Sequence, residues 1–286
     1  MRIAVVGAGT MGHGIAQVAA LAGYDTSMTD LSGDALERAL AHIKANLDGG
    51  VSRGKVTPEA AEAAIKRIAR EQSLEAAVRD ADLVVEAIVE DLDSKRELFR
   101  KLDRHCRTTA TLSTNTSSLS VARIAEVVGD PTRVVGMHFF NPVHIMKLVE
   151  IVRHDASSAE HVERALKVAQ AMGKQPIVVK DSPGFASSRL GIVLGLEAMR
   201  MLEEGVASAQ DIDRAMELGY GHPMGPLRVS DLVGLDVRLA IAEYLHGELG
   251  DSHYAPPAIL REKVAAGELG KKTGKGFYEW HKKKSS

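Results

Sequence analysis

Short apolar runs alternate with segments of helical period over about the first 180 positions, and that alternation sets the expected architecture. RIAVV (2–6) reads as a strand, and MGHGIAQVAALAG as a helix stopped at Gly23. YDTSMTD is a second strand, residues 33–48 a helix, and VSRGKVTPEAAEAAIKRI a basic loop and another helix. After the short helix SLEAAVRDA, DLVVEAIVE is a near-continuous apolar run, the mark of a parallel strand buried on both faces. DSKRELFRKLDRHC reads as a helix with Asp93 as its N-cap. TATLSTNTSSLS is a strand running into a polar turn before the helix SVARIAEVV. RVVGMH and KLVEIV are two further strands, and SSAEHVERALKVAQAMG is an amphipathic helix with Ser157 and Glu160 as a capping box and Gly173 as its stop. QPIVVK is the last strand. The pattern predicts an α/β domain, a doubly wound and mostly parallel sheet, over residues 1–181.

At DSPGF the period changes. Residues 182–286 carry helical signals and almost no strand signal, so an all-helical C-terminal domain is expected. Its first helix, within PGFASSRLGIVLGLEAMRML, has only Arg189, Glu197 and Arg200 as charges and is expected to be buried nearly all round, as a domain centre or a subunit interface. GKKTGKGFYEW reads as a loop.

Composition narrows the classes. The 286 residues are 45% hydrophobic and 26% charged with a net charge of −2, ordinary for a globular protein and unlike a nucleic-acid surface. The C-terminal HKKKSS is the one basic run, expected to be frayed. No apolar run approaches a membrane span. One cysteine, Cys106, fits a reducing compartment, and a first strand at Arg2 leaves no room for a signal peptide, so a cytoplasmic location is expected.

Two stretches carry candidate chemistry. GAGTMG follows the first strand and opens the first helix, with Gly7, Gly9 and Gly12 in GxGxxG positions around Thr10 and Met11. Its glycines suit a tight turn, backbone approach to a pyrophosphate and helix–strand packing, while the helix N-terminus offers N–H groups to phosphate. Asp30, ending the second strand, stands where an acid bonds a ribose 2′-hydroxyl and repels a 2′-phosphate. In the second stretch, HFFNPVHIMKLVE, the strand ending at His138 is broken by Asn141-Pro142, and Glu150 follows twelve positions after the histidine. If the chain folds back, Glu150 orients His138 as a general base; the alternative is a strand-end histidine and an unrelated surface glutamate. Glu90 and the run Asn115, Thr116, Ser117 and Ser118 fall at C-terminal ends of strands, where open α/β sheets bind ligands. Lys95 in a helix's first turn opposes the dipole, which points to an anionic neighbour or to plain solvation.

Taken in order, GAGTMG, VVEAIVED, STNTSSLS, HFFNPV, MKLVE, DSPGF, HPMGP, DLVGLD and GKKTGKGFY resemble the L-3-hydroxyacyl-CoA dehydrogenase family over the whole length. The resemblance implies a Rossmann-type NAD-binding domain followed by a helical domain that forms a homodimer, acting on an acyl-CoA substrate. By that resemblance His138 matches the catalytic base, Glu150 its partner acid, and Ser117 a serine near the reacting oxygen. Asp30, Glu90, Lys95, Asn141 and Lys272 match positions associated with the dinucleotide, and Asn115 is placed with them. The family pattern PGFxxNR is PGFASSR here, so Ser188 stands where an asparagine is usual. Arg53 and Lys55 are the nearest candidates for CoA contacts. No metal site is expected. Two other readings keep the fold: an NAD-dependent dehydrogenase of a free hydroxy or sugar acid, and a catalytically idle NAD-binding protein.

Overall fold

A computed structural model of the chain describes residues 1–280, so the HKKKSS tail lies outside the described residues apart from these expectations. The chain divides into two units, Met1–Phe185 and Ala186–Ser286.

In the first unit the elements run β1 (Arg2–Val6), α1 (Thr10–Leu21), β2 (Asp25–Thr29), α2 (Gly33–Ser52), α3 (Pro58–Lys66), β3 (Ile68–Glu71), α4 (Leu74–Val78), β4 (Leu83–Glu86), α5 (Leu92–His105), β5 (Thr111–Thr114), α6 (Val121–Ala125), β6 (Val134–Phe139), β7 (Leu148–Arg153), α7 (Ala159–Ala171) and β8 (Gln175–Lys180). They build one eight-stranded sheet in the order β3-β2-β1-β4-β5-β6-β7-β8. Every pair is parallel except β6 with β7. The apolar runs are continuous because both faces are covered. Ile3 and Val5 enter a core with α1, α2 and α7, whereas Ala4 and Val6 enter another with α5 and α6.

Several local expectations need correction. β3 went unpredicted because IARE is a polar edge strand, half exposed, with no apolar alternation to read. The N-cap of α5 is Asp91, which accepts from Ser94 N; Asp93 sits in the first turn. The cap of α7 is Ser158, while Ser157 instead donates to Val134 O. At the end of the unit, Asp181 accepts from Ser120 Oγ and Ala122 N, both at 2.8 Å.

α7 meets β5 through a buried polar contact, His161 Nδ1 to Thr111 Oγ1 at 2.7 Å. Burial, helped by the charge of Arg164, holds this imidazole below its ordinary 6.5. The unfolded chain therefore takes up a proton first on acidification, so stability present above pH 6.5 is lost as the pH falls through the lowered value. The melting temperature is expected to drop between about pH 7 and about pH 5, and His161→Gln should flatten that part of the profile. An unaltered slope in the variant would remove His161 from the acid response.

The second unit is helical: α8 (Ser187–Glu203), α9 (Ala209–Tyr220), α10 (Pro226–Val233), α11 (Leu235–Leu249) and α12 (Ala258–Ala265). Its core gathers Ile192, Leu196, Met199, Leu227, Leu235 and Leu245. Contrary to expectation, α8 is not buried all round: one face enters the core and Leu190 stays 73% exposed. The loop GKKTGKGFYEW is held by the buried Asp231 carboxylate, which accepts from Phe277 N, Tyr278 N and Trp280 Nε1.

Candidate active site

The turn at Asn141-Pro142, which has a cis peptide, returns the chain so that β7 runs antiparallel to β6 with His138 registered opposite Glu150. Register alone puts both side chains on one face of the sheet, the face packed by α5 and α6. His138 Nδ1 lies 2.8 Å from Glu150 Oε2, with the imidazole 6% exposed and the carboxylate fully buried. The rings of Phe140 and Phe185 flank the imidazole, with centroids 4.5 and 5.9 Å away. A buried carboxylate beside Nδ1 fixes the tautomer that carries its proton there, and so leaves Nε2 as the basic nitrogen. The turn itself is anchored by the buried Lys174, whose ammonium donates to Met146 O at 2.9 Å and to Val143 O.

At the head of β1, a Cβ on Gly12 would stand 1.7 Å from Gly7 O, so α1 packs on the turn only with glycine there. A Cβ on Gly9 would meet nothing within 4 Å, so the ground beside the helix N-terminus is open. Gly9 caps α1 without a side chain, and no acid stands in its first turn, where Thr10 and Met11 begin the helix. Those donors and that open ground fit a pyrophosphate. Asp30 accepts from Ala8 N at 2.8 Å and Ser32 N at 2.9 Å, which ties the end of β2 to the glycine turn.

Between these stretches lies an ionic network. Lys95 is buried, not solvated: its Nζ is 2.6 Å from Glu86 Oε1 and 3.3 Å from Glu90 Oε2. Glu86, fully buried at the end of β4, also accepts from Thr114 Oγ1 at 2.7 Å and Ile88 N at 2.8 Å. Sequence reasoning passed over Glu86, although a charge ending an apolar strand, nine positions before a first-turn lysine, was the available signal. Glu90 gathers the polar turn, since its Oε1 accepts from Thr116 Oγ1 at 2.6 Å, Ser117 N at 2.8 Å and Ser118 N at 3.2 Å. Burial alone would raise its pKa, but Lys95 and the bonds from Thr116 and Ser117 bring it below the ordinary 4.5. Asn115 Oδ1 accepts from Phe139 N at 2.9 Å, one residue beyond His138.

The first unit thus holds the glycine turn, Asp30, Glu90, Lys95, Asn115, Ser117, His138, Asn141 and Glu150. Lys272 and Ser188 belong to the helical unit, where Lys272 Nζ pairs with Asp236 Oδ2 at 2.6 Å and Ser188 sits half-buried in the first turn of α8. Arg53 and Lys55 are exposed at the end of α2. Among the described residues no group of three His, Cys, Asp or Glu side chains is arranged to hold a metal ion.

Comparison with known proteins decides the family. The NAD-binding domain model of 3-hydroxyacyl-CoA dehydrogenase matches residues 2–182, and the C-terminal domain model of the same family matches residues 184–280. The chain belongs to the 3-hydroxyacyl-CoA dehydrogenase family. Among its relatives is a probable 3-hydroxybutyryl-CoA dehydrogenase of Bacillus subtilis, 46% identical over 284 residues and 99% of both chains. The 3-hydroxybutyryl-CoA dehydrogenase of Clostridioides difficile is 40% identical over 99% of this chain and all of its own. The crystal structure of (S)-3-hydroxybutyryl-CoA dehydrogenase from Ralstonia eutropha superposes with a TM-score of 0.95 at 39% identity, covering 98% of this chain and 99% of that one. As a member of the 3-hydroxyacyl-CoA dehydrogenase family the chain takes NAD as its cofactor, which the open, uncapped start of α1 suits.

Proposed function

We propose that this chain interconverts 3-hydroxyacyl-CoA and 3-ketoacyl-CoA thioesters, with 3-hydroxybutyryl-CoA and acetoacetyl-CoA as the pair it serves. The observation that carries the reading is the buried His138–Glu150 pair on adjacent strands. In the oxidation, His138 Nε2 takes the proton of the C3 hydroxyl as the C–H bond breaks. NAD, when bound, takes the hydride. Glu150 stabilises the imidazolium, in the way a buried acid serves a hydrolase triad. In reverse, the protonated histidine donates to the carbonyl oxygen. Ser117, held by its N–H on Glu90, orients the same oxygen, and Ser188 gives the substrate a single hydrogen bond where the family asparagine gave an amide.

Gly7, Gly9, Thr10, Met11 and Gly12 hold the pyrophosphate and Asp30 the adenosine ribose. Glu90 and Lys95, with Asn115 and Asn141, shape the nicotinamide side. We extend the reading to a homodimer through the helical unit, supported by Leu190, Leu218, Tyr220, Val233 and Val237, which a single chain leaves exposed. A cytoplasmic location is supported by the single cysteine, Cys106, which leaves no intrachain disulfide.

The test is reduction of ketoacyl-CoA esters of graded length with NADH and with NADPH. Turnover of acetoacetyl-CoA with NADH and a strong bias against NADPH are expected, and Asp30→Ala should weaken NADH binding and relax the bias. Equal use of NADPH by the wild type would remove Asp30 from the ribose; failure with every ester would reject the reading.

A further inference from the structure

The segment 140–147 that joins β6 to β7 is too long to set their register by itself, as a two-residue hairpin turn would. Register matters here. A slip of one residue would turn Glu150 to the opposite face and set an apolar neighbour against His138. β6 has a hold of its own, since it pairs with β5 and Phe139 N donates to Asn115 Oδ1. Slack in the segment would therefore fall on β7, and so on Glu150.

The first half of the segment is fixed by packing. Val143 is buried over Gly14 of α1, where a Cβ would stand only 2.8 Å from Val143 Cβ. The second half is not, for Ile145 and Met146 are 63% and 39% exposed. Its hold is on the backbone. Ile145 N and Met146 N donate to Pro142 O, and Lys174 Nζ donates to Met146 O at 2.9 Å and to Val143 O. One ammonium thus ties the loose half to the packed half. Lys174 also stands immediately before β8, whose Gln175 N donates to Lys147 O where β7 begins.

A lysine is a costly way to make that tie. Lys174 is 8% exposed, burial holds its pKa below the ordinary 10.5, and among the described residues no carboxylate pairs with it. The buried Lys95 and Arg133 each face an acid, Glu86 and Asp103. Apolar side chains often replace a buried charge without loss of stability, so stability does not account for this ammonium. Its donors do.

We propose that Lys174 is a positioning residue: by closing the segment 140–147 it sets the register in which Glu150 meets His138. The inference deepens the functional reading above and rests on it.

The test is a double-mutant cycle of Lys174→Met and Glu150→Gln, read as kcat for acetoacetyl-CoA reduction at saturating NADH. Lys174→Met alone should lower kcat by about 10- to 100-fold, the scale of a misplacement of about 1 Å. In the Glu150→Gln background it should cost little further, because the group it positions no longer carries the charge. A lysine that serves the fold alone would lower both backgrounds alike. Lys174→Gln, whose neutral amide ends one bond short of Nζ, carries the same cycle if Lys174→Met does not fold. Wild-type kcat in the folded variant, or an equal loss in the Glu150→Gln background, overturns the proposal. If Glu150→Gln alone turns over like the wild type, the functional reading falls and this one with it. If Glu150→Gln is slow and the Lys174 variant is not, this proposal alone falls.

Discussion

Glu150→Gln should lower turnover by about 10²–10⁴-fold while NADH binding stays near that of the wild type. The amide keeps the shape of the carboxylate but not its charge, so the imidazolium formed during oxidation loses its stabiliser. It can also present its NH₂ to Nδ1, which favours the wrong tautomer and moves the proton to Nε2, the nitrogen that must be basic. The effect should fall on kcat, since the carboxylate touches His138 Nδ1 at 2.8 Å and lies fully buried, away from the glycine turn. Stopped-flow measurement of NADH binding alongside steady-state turnover separates the two. Wild-type turnover in the variant would show that the pair is structural only.

Lys95→Met is expected to act on stability first. It leaves the fully buried Glu86 carboxylate without its cation, a loss of about 3–5 kcal/mol for a buried pair broken on one side. At roughly 2–4 °C per kcal/mol for a chain of this size, the melting temperature should fall by about 10 °C. Glu86→Gln in the same chain should recover much of the loss, because a neutral amide can keep Ile88 N on its carbonyl oxygen and turn its NH₂ to the Thr114 hydroxyl, which can accept, without needing an ammonium. The double variant should still bind NADH more weakly, since Glu90 loses the charge that helps hold Thr116–Ser118 in place. Additive losses in the double variant would mean that Lys95 and Glu86 do not depend on one another.

The sheet was legible where burial dictates the residues. β1, β4 and β6 are mostly apolar on both faces because a helical layer covers each side. The sequence left the His138–Glu150 pair as one of two readings, and it is the antiparallel pairing of β6 and β7 across the Asn-Pro break that brings the two side chains together. What remained hidden was decided by contacts distant in sequence. IARE pairs with β2 through its backbone, which its polar side chains do not announce. Asp91 and Asp93 are equally good caps by type, and only the chain's entry from Glu90 selects the first. The partner of Lys95 was an acid inside a strand, and its burial follows from the strand order rather than from the local sequence. For α8, composition reports apolarity, not which element covers it.

His138, set by Glu150, is the group through which we propose that C3 is oxidised and reduced. Single-turnover reduction of acetoacetyl-CoA by preformed enzyme–NADH, for the wild type and for His138→Gln, addresses it directly. Rapid NADH consumption by the wild type, and a rate slower by about 10²–10⁴-fold in a variant that still binds NADH, is the expected result. Equal single-turnover rates in the two proteins would contradict it.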